Sequence, residues 1–217
     1  LTEGSDTPAF ARRRGEVIEN PATGERVVIL TDPFEHPDKV LTSHLFVSPG
    51  GRVSVKHRHP TVAERFHVIQ GQVGFLIGEE EHLLGPGDAA EVPPETWHDW
   101  WQVGEETAEV IVEVTPGDRF VELVGTFFGL ARDGKVDKKG APKPLQLAVS
   151  ATAYSDVIVV ASPPPWLQKV VFGVLAPIGR ARGLEPYYEH YLHSDVVVEP
   201  SPEALELLTP DGRLRQT

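Results

Sequence analysis

Residues 51–59 read Gly51-Arg-Val-Ser-Val-Lys-His57-Arg-His59, and Glu64 and Gly71 follow, a G-x5-H-x-H-x4-E-x6-G spacing. Side chains alternate along a strand, so His57 and His59 share one face, with Val53 and Val55 leading up to them on the same side. The turn at residues 60–63 lets Glu64 open the next strand, and a hairpin of this length can bring its carboxylate opposite the two imidazoles. Gly87, Pro93 and His98 then form G-x5-P-x4-H, which places another imidazole at the start of a later strand. The chain has no cysteine. That removes disulfides, thiolate zinc sites, iron–sulfur clusters and a cysteine nucleophile, so a transition-metal site here must be built from imidazole and carboxylate. No Ser/His/Asp nucleophile pattern and no glycine-rich phosphate loop ahead of a helix is present.

Short β-rich runs must position these groups. GEVIEN and ERVVIL flank an Asn-Pro…Gly turn and predict a hairpin. VLTSHLFV, RVSVKH, RFHVIQ, QVGFLI, HLL, AAEV, HDWWQV and AEVIVEV follow at close spacing, separated by Gly/Pro turns. Many short strands at such spacing predict a sandwich or closed barrel. After Gly117 the period changes. Asp118 can cap a helix whose Phe120, Leu123, Val124, Phe127, Phe128 and Ala131 fall on one stripe. A second apolar stretch covers 145–161, helical by length but with β-branched VIVV near its end. A third helix runs from Trp166 to about Arg182 behind three prolines, and 201–208 holds a short fourth.

Both sequence motifs resemble those of the cupin superfamily. The first matches at every defined position; the second keeps Gly87, Pro93 and His98, with Glu95 where a glycine is usual and Gln102 where an asparagine is usual. The resemblance covers roughly residues 40–115. It implies a mainly β protein, a double-stranded β-helix (cupin jelly-roll barrel), here followed by a C-terminal α-helical extension. The expected division is 1–38 for an N-terminal arm and hairpin packing on the barrel, 39–117 for the barrel and 118–217 for the extension. It also implies that His57, His59, Glu64 and His98 hold one divalent transition metal per chain. Three imidazoles and a carboxylate suit iron, with zinc, manganese, nickel, cobalt and copper as alternatives.

Other polar groups receive plainer readings. His67 shares parity with Arg65, away from Glu64, and is assigned to packing or the surface. His36, His44, His82, His190 and His193 lack a partner pattern, although His44 is a candidate acid–base group inside the barrel. Trp100 and Gln102 share the parity of His98 and are expected to shape a substrate pocket; Trp97 and Trp101 face the other way and pack on another element or subunit. Arg12-Arg13-Arg14 reads as a solvated arm.

Net charge is −12, and residues 1–117 carry nine Lys and Arg against 20 Asp and Glu. Phosphate binding needs clustered basic residues, so nucleic acid is an unsuitable partner. The Trp166–Ile178 run has about 13 apolar residues where a span needs about 20, so membrane association is not expected and packing on the barrel or in a homodimer is. A cytoplasmic location is expected, with a signal removed upstream left open. The functional expectation is a metal-dependent enzyme acting on a small organic molecule, by mononuclear-iron oxygenase or dioxygenase chemistry. A non-redox isomerase, lyase or cyclase and a non-catalytic small-molecule-binding module are the alternatives; catalytic residues beyond the ligands are not assigned.

Overall fold

The computed structural model describes residues 11–52 and 55–215; the first ten residues of the expected arm and Val53 lie outside these. The expected first hairpin forms from β1 (Val17–Asn20) and β2 (Glu25–Thr31). Gly24 turns the chain at φ +75°, a left-handed conformation that glycine adopts without a Cβ clash. There follow β3 (Leu41–Val47), β4 (His57–Arg58), β5 (Ala63–Gln70), β6 (Gln72–Ile77), β7 (Glu80–Leu84), β8 (Ala89–Val92), β9 (His98–Val103) and β10 (Ala108–Thr115). Among the described residues of the RVSVKH stretch, His57 and Arg58 form β4, and Arg52 makes an isolated bridge to Trp101.

Two antiparallel sheets result, in the orders β1-β2-β3-β10-β5-β8 and β11-β4-β9-β6-β7, where β11 is Val159–Val160. Their inner faces meet in one apolar core that includes Leu45, Phe66, Val68, Phe75, Trp100 and Val112. Phe66 of the first sheet and Phe75 of the second stack edge to face with centroids 4.9 Å apart. Strand alternation is kept on β5, where Glu64, Phe66 and Val68 belong to the inner face and Arg65 and His67 to the outer one. The architecture is the expected jelly roll with a helical extension.

The extension is α1 (Asp118–Arg132), α2 (Pro144–Ala153), α3 (Pro165–Ala181) and α4 (Pro202–Glu206). The residue capping α1 is Gly117, and Asp118, expected as the cap, sits inside the first turn. Val121 and Leu123 of α1 enter the main core. Glycines on the opposite side of α1 allow close approach: a Cβ at Gly129 would lie 2.2 Å from the Tyr191 ring. The VIVV segment leaves the helix expected over 145–161 because its β-branched residues suit a strand, and its last two residues form β11. Ala204, Leu208 and Leu214 cover Val28, Leu30 and Ile111 on the outer face of the six-stranded sheet.

Arg12 corrects the reading of a solvated arm. It is buried, its Nη1 donates to Glu16 Oε1 at 3.0 Å, and its backbone N–H donates to Asp32 Oδ2 at 2.9 Å. A buried guanidinium requires such partners, and the hairpin and α1 enclose the pair. On α3 burial holds for one face only, since Trp166, Val170, Val174 and Ile178 are exposed. No helix among the described residues is long and apolar enough to cross a membrane.

Candidate metal centre

β4 and β9 pair at His57 and His98, and His59 follows two residues on. Glu64 enters from the facing sheet on β5. All four side chains are buried, and one ligand-type atom from each lies within 4.8 Å of the others. The imidazole centroids are 4.3 Å (His57–His98), 4.8 Å (His57–His59) and 5.2 Å (His59–His98) apart.

Each ring is held through Nδ1 by a backbone carbonyl: Val55 O at 2.9 Å for His57, Val157 O at 2.7 Å for His59 and Thr96 O at 3.0 Å for His98. A carbonyl only accepts, so Nδ1 carries the proton and Nε2 presents its lone pair. The Nε2 atoms of His59 and His98 lie 3.4 and 3.0 Å from Glu64 Oε2. In that tautomer they are acceptors facing an acceptor, and these three atoms are buried without a hydrogen-bond partner. Convergent acceptors with every outer nitrogen anchored fit a divalent cation in their midst.

Charge follows the same logic. Burial pushes the His57 imidazole down to about 3, helped by the neighbouring His59 and His98, so it is neutral across ordinary pH. Burial disfavours charge on His59 too, but the adjacent Glu64 carboxylate outweighs it and raises that imidazole above its usual value. Burial would likewise raise Glu64, yet His59 and His98 hold it well below the usual carboxylate range. The proton that competes with a cation therefore sits on His59. Because its affinity for that proton exceeds the ordinary 6.5, apparent metal affinity should begin to fall while the pH is still above 6.5 and keep falling below it. A chelator-competition titration from pH 8.5 to 5.5 checks this; a flat profile down to pH 6 would contradict it.

The extension takes part in the site. Val157, between α2 and β11, supplies the carbonyl for His59, β11 pairs with β4 (Val160 with His57), and Phe120 of α1 sets its ring 5.6 Å from that of His59. Periodicity did not reveal these contacts; the VIVV run was their only visible trace.

Glu95, in the turn before His98, stands at φ +65°, the conformation a glycine would take there. Its N–H donates to His59 O at 2.8 Å, and its carboxylate pairs with Arg58. The turn thus keeps its shape at a conformational cost of about 1 kcal/mol for a residue with a Cβ. Replacing Glu95 with Gly should raise the melting temperature by about 2–4 °C, since the exposed ion pair it removes contributes little. Glu95→Val should lower it; a melt of both variants decides.

Trp100 lines a cavity of about 790 Å³ that His57 and Glu64 also line. Gln102 does not. Its Oε1 accepts from Gly50 N–H at 2.8 Å, and its Nε2 donates to the carbonyls of Val103, Gly104 and Glu106 at 2.9, 3.1 and 2.7 Å. The expectation of a pocket residue is corrected: those loops leave backbone groups that the amide satisfies. His44 is corrected as well, because it faces out of the barrel, with Nε2 3.0 Å from Glu109 Oε2. His67 is on the outer face as expected, and Trp101 packs over Gly74, where a Cβ would come within 2.4 Å. The sequence reading passed over Glu25, a carboxylate in the cavity wall.

Two antiparallel sheets with three histidines and a carboxylate converging between them define a jelly roll of the metal-site type. Residues 43–115 match the cupin domain family, so this segment carries a cupin domain. No protein of curated function matches the chain. Similar solved structures include a predicted oxalate decarboxylase from Thermotoga maritima, at 17% identity over 48% of this chain and 96% of that one, TM-score 0.43. KdgF from a Halomonas species is 19% identical over 46% and 86%, TM-score 0.39. A sugar phosphate isomerase from Silicibacter pomeroyi is 23% identical over 43% and 61%, TM-score 0.39. Each likeness spans less than half of this chain.

Proposed function

We propose that the protein is a metal-dependent cupin enzyme acting on a small organic molecule, with a mononuclear iron centre and oxygenase chemistry. The observation that carries the reading is the set of unpartnered, buried acceptor atoms on His59, Glu64 and His98, lying beside an apolar cavity large enough for a substrate. His57, His59, Glu64 and His98 would hold the ion. When bound, a redox-active ion with four protein ligands and octahedral preference supplies Lewis acidity and a place for dioxygen beside a chelating substrate.

The chain's own residues do the rest. The Val55, Val157 and Thr96 carbonyls fix the tautomer and the aim of the imidazoles. Phe66, Trp100 and Phe120 line the cavity with apolar surface, which excludes water and strengthens the field of the Glu64 carboxylate on whatever lies near it. Glu64, ionised throughout the neutral range, holds no proton to donate; substrate positioning falls to the walls.

Elemental analysis of protein purified without chelator, with an oxygen-electrode assay of the iron-loaded form, tests this. About one iron per chain is expected, with oxygen uptake dependent on an added substrate. Zinc, manganese or nickel with no oxygen uptake would replace the redox reading by a non-redox isomerase or lyase. Absence of any bound metal would leave a binding module.

A further inference from the structure

The cavity does not end at the metal cluster. It continues along the inner faces of β2 and β3, where Ile29 and Leu45 line it, beneath Phe127 of α1 and Leu147 of α2, and it reaches Asn20, Thr23 and Glu25. Strand register measures its length. Through Val114, Glu64 is level with Leu41 on β3, whereas Glu25 pairs with Val47. Six residues of strand separate the two levels, about 20 Å at about 3.3 Å per residue. Spread over that length, the cavity volume corresponds to a mean cross-section of about 40 Å², ample for an extended chain of atoms.

Carboxylates stand at its two ends. Among the described lining residues, Glu25 and Glu64 are the only carboxylates. Glu25 is directed inward with Val27 and Ile29 by strand alternation. Its Oε2 accepts from the Thr23 hydroxyl, and no Lys or Arg among the described residues forms an ion pair with it. Burial raises its carboxyl to about 7, the Thr23 bond pulling it partly back. A carboxylate left in an apolar wall without a cation costs stability unless a donor meets it.

We infer that the site accepts an elongated, chiefly apolar molecule with a metal-chelating group at one end and a hydrogen-bond donor, hydroxyl or amine, at the other, which Glu25 receives. The inference rests on the metal reading for the head and on the cavity alone for the far end.

Dodecanohydroxamic acid and its 12-hydroxy and 12-amino derivatives, titrated calorimetrically into the zinc-loaded full chain, test it. The hydroxamate supplies a chelating head, and the twelve-carbon chain approaches the length of the cavity. The derivatives should bind at least about fivefold tighter than the parent, and 8-hydroxyoctanohydroxamic acid, too short to reach, should gain nothing over its own parent. Glu25→Leu should abolish the gain for both groups, while Glu25→Gln should keep most of the hydroxyl gain and lose that of the amine. Equal affinities in the wild type, or a gain that persists in Glu25→Leu, would overturn the inference.

Dodecylamine displacing an apolar dye from metal-free protein reads the far end separately. A Glu25-dependent displacement, with hydroxamate binding indifferent to metal, upholds the far-end assignment and counts against the metal reading alone. Metal-dependent hydroxamate binding with no Glu25-dependent gain overturns the inference alone.

Discussion

Glu64→Gln should weaken metal binding at least about 100-fold while leaving the metal-free protein folded. Glu64 is the one carboxylate in the cluster, and its Oε2 lies between the Nε2 atoms of His59 and His98. Loss of an outer hydrogen-bond partner of a metal ligand costs about 10–100-fold in affinity, and loss of the anionic ligand itself should exceed that. Glutamine preserves the shape of the side chain, so the packing of Phe66 and Val114 around it stays intact. Its amide can even donate to one of the imidazole lone pairs. Competition with a chelator measures the affinity, and far-ultraviolet circular dichroism with a melt reports the fold. Wild-type affinity in this variant would mean that the carboxylate is not a ligand.

Ending the chain at Gly117 should abolish soluble, folded protein. The extension supplies Val121 and Leu123 to the main core, and Leu208 and Leu214 to the outer face of the six-stranded sheet. Burial of four such side chains contributes about 10 kcal/mol gross, comparable with the whole net stability of a domain at about 5–15 kcal/mol. The truncated chain would also lose Val157, the anchor of His59, and β11, the sheet partner of β4. Expression followed by size-exclusion chromatography gives the answer. A monomeric, soluble 1–117 fragment that binds metal as the full chain does would show the extension to be an independent attachment.

Residue types and spacing were enough to point His57, His59, Glu64 and His98 inward, because strand alternation is a two-residue period that a register slip cannot alter without turning every side chain over. That Glu64 meets the imidazoles from the facing sheet, and not across a hairpin, was decided by the fold. The same parity argument placed His67 outside and Trp100 inside. It was insufficient for Gln102, whose inward direction was right in parity yet whose amide is taken by loop carbonyls of residues 103–106 and by Gly50 N–H. Parity gives a direction, not a partner. For Arg12, composition suggested a solvent-exposed arm, because nothing local indicates that Glu16, Asp32 and α1 will close around it.

The motif residues, the ten strands before Gly117 and the change from strand to helix after it were legible in the sequence itself, since turn residues and hydrophobic period act over a few positions and leave local traces. Only the tertiary structure decided that Val157, nearly a hundred residues after His59, orients that imidazole. It likewise decided that VIVV completes the metal-bearing sheet, and that Glu25 and Glu64 end one cavity. These relations join segments far apart in the chain, and their energy comes from burial and from hydrogen bonds that exist only once the sheets and helices have packed.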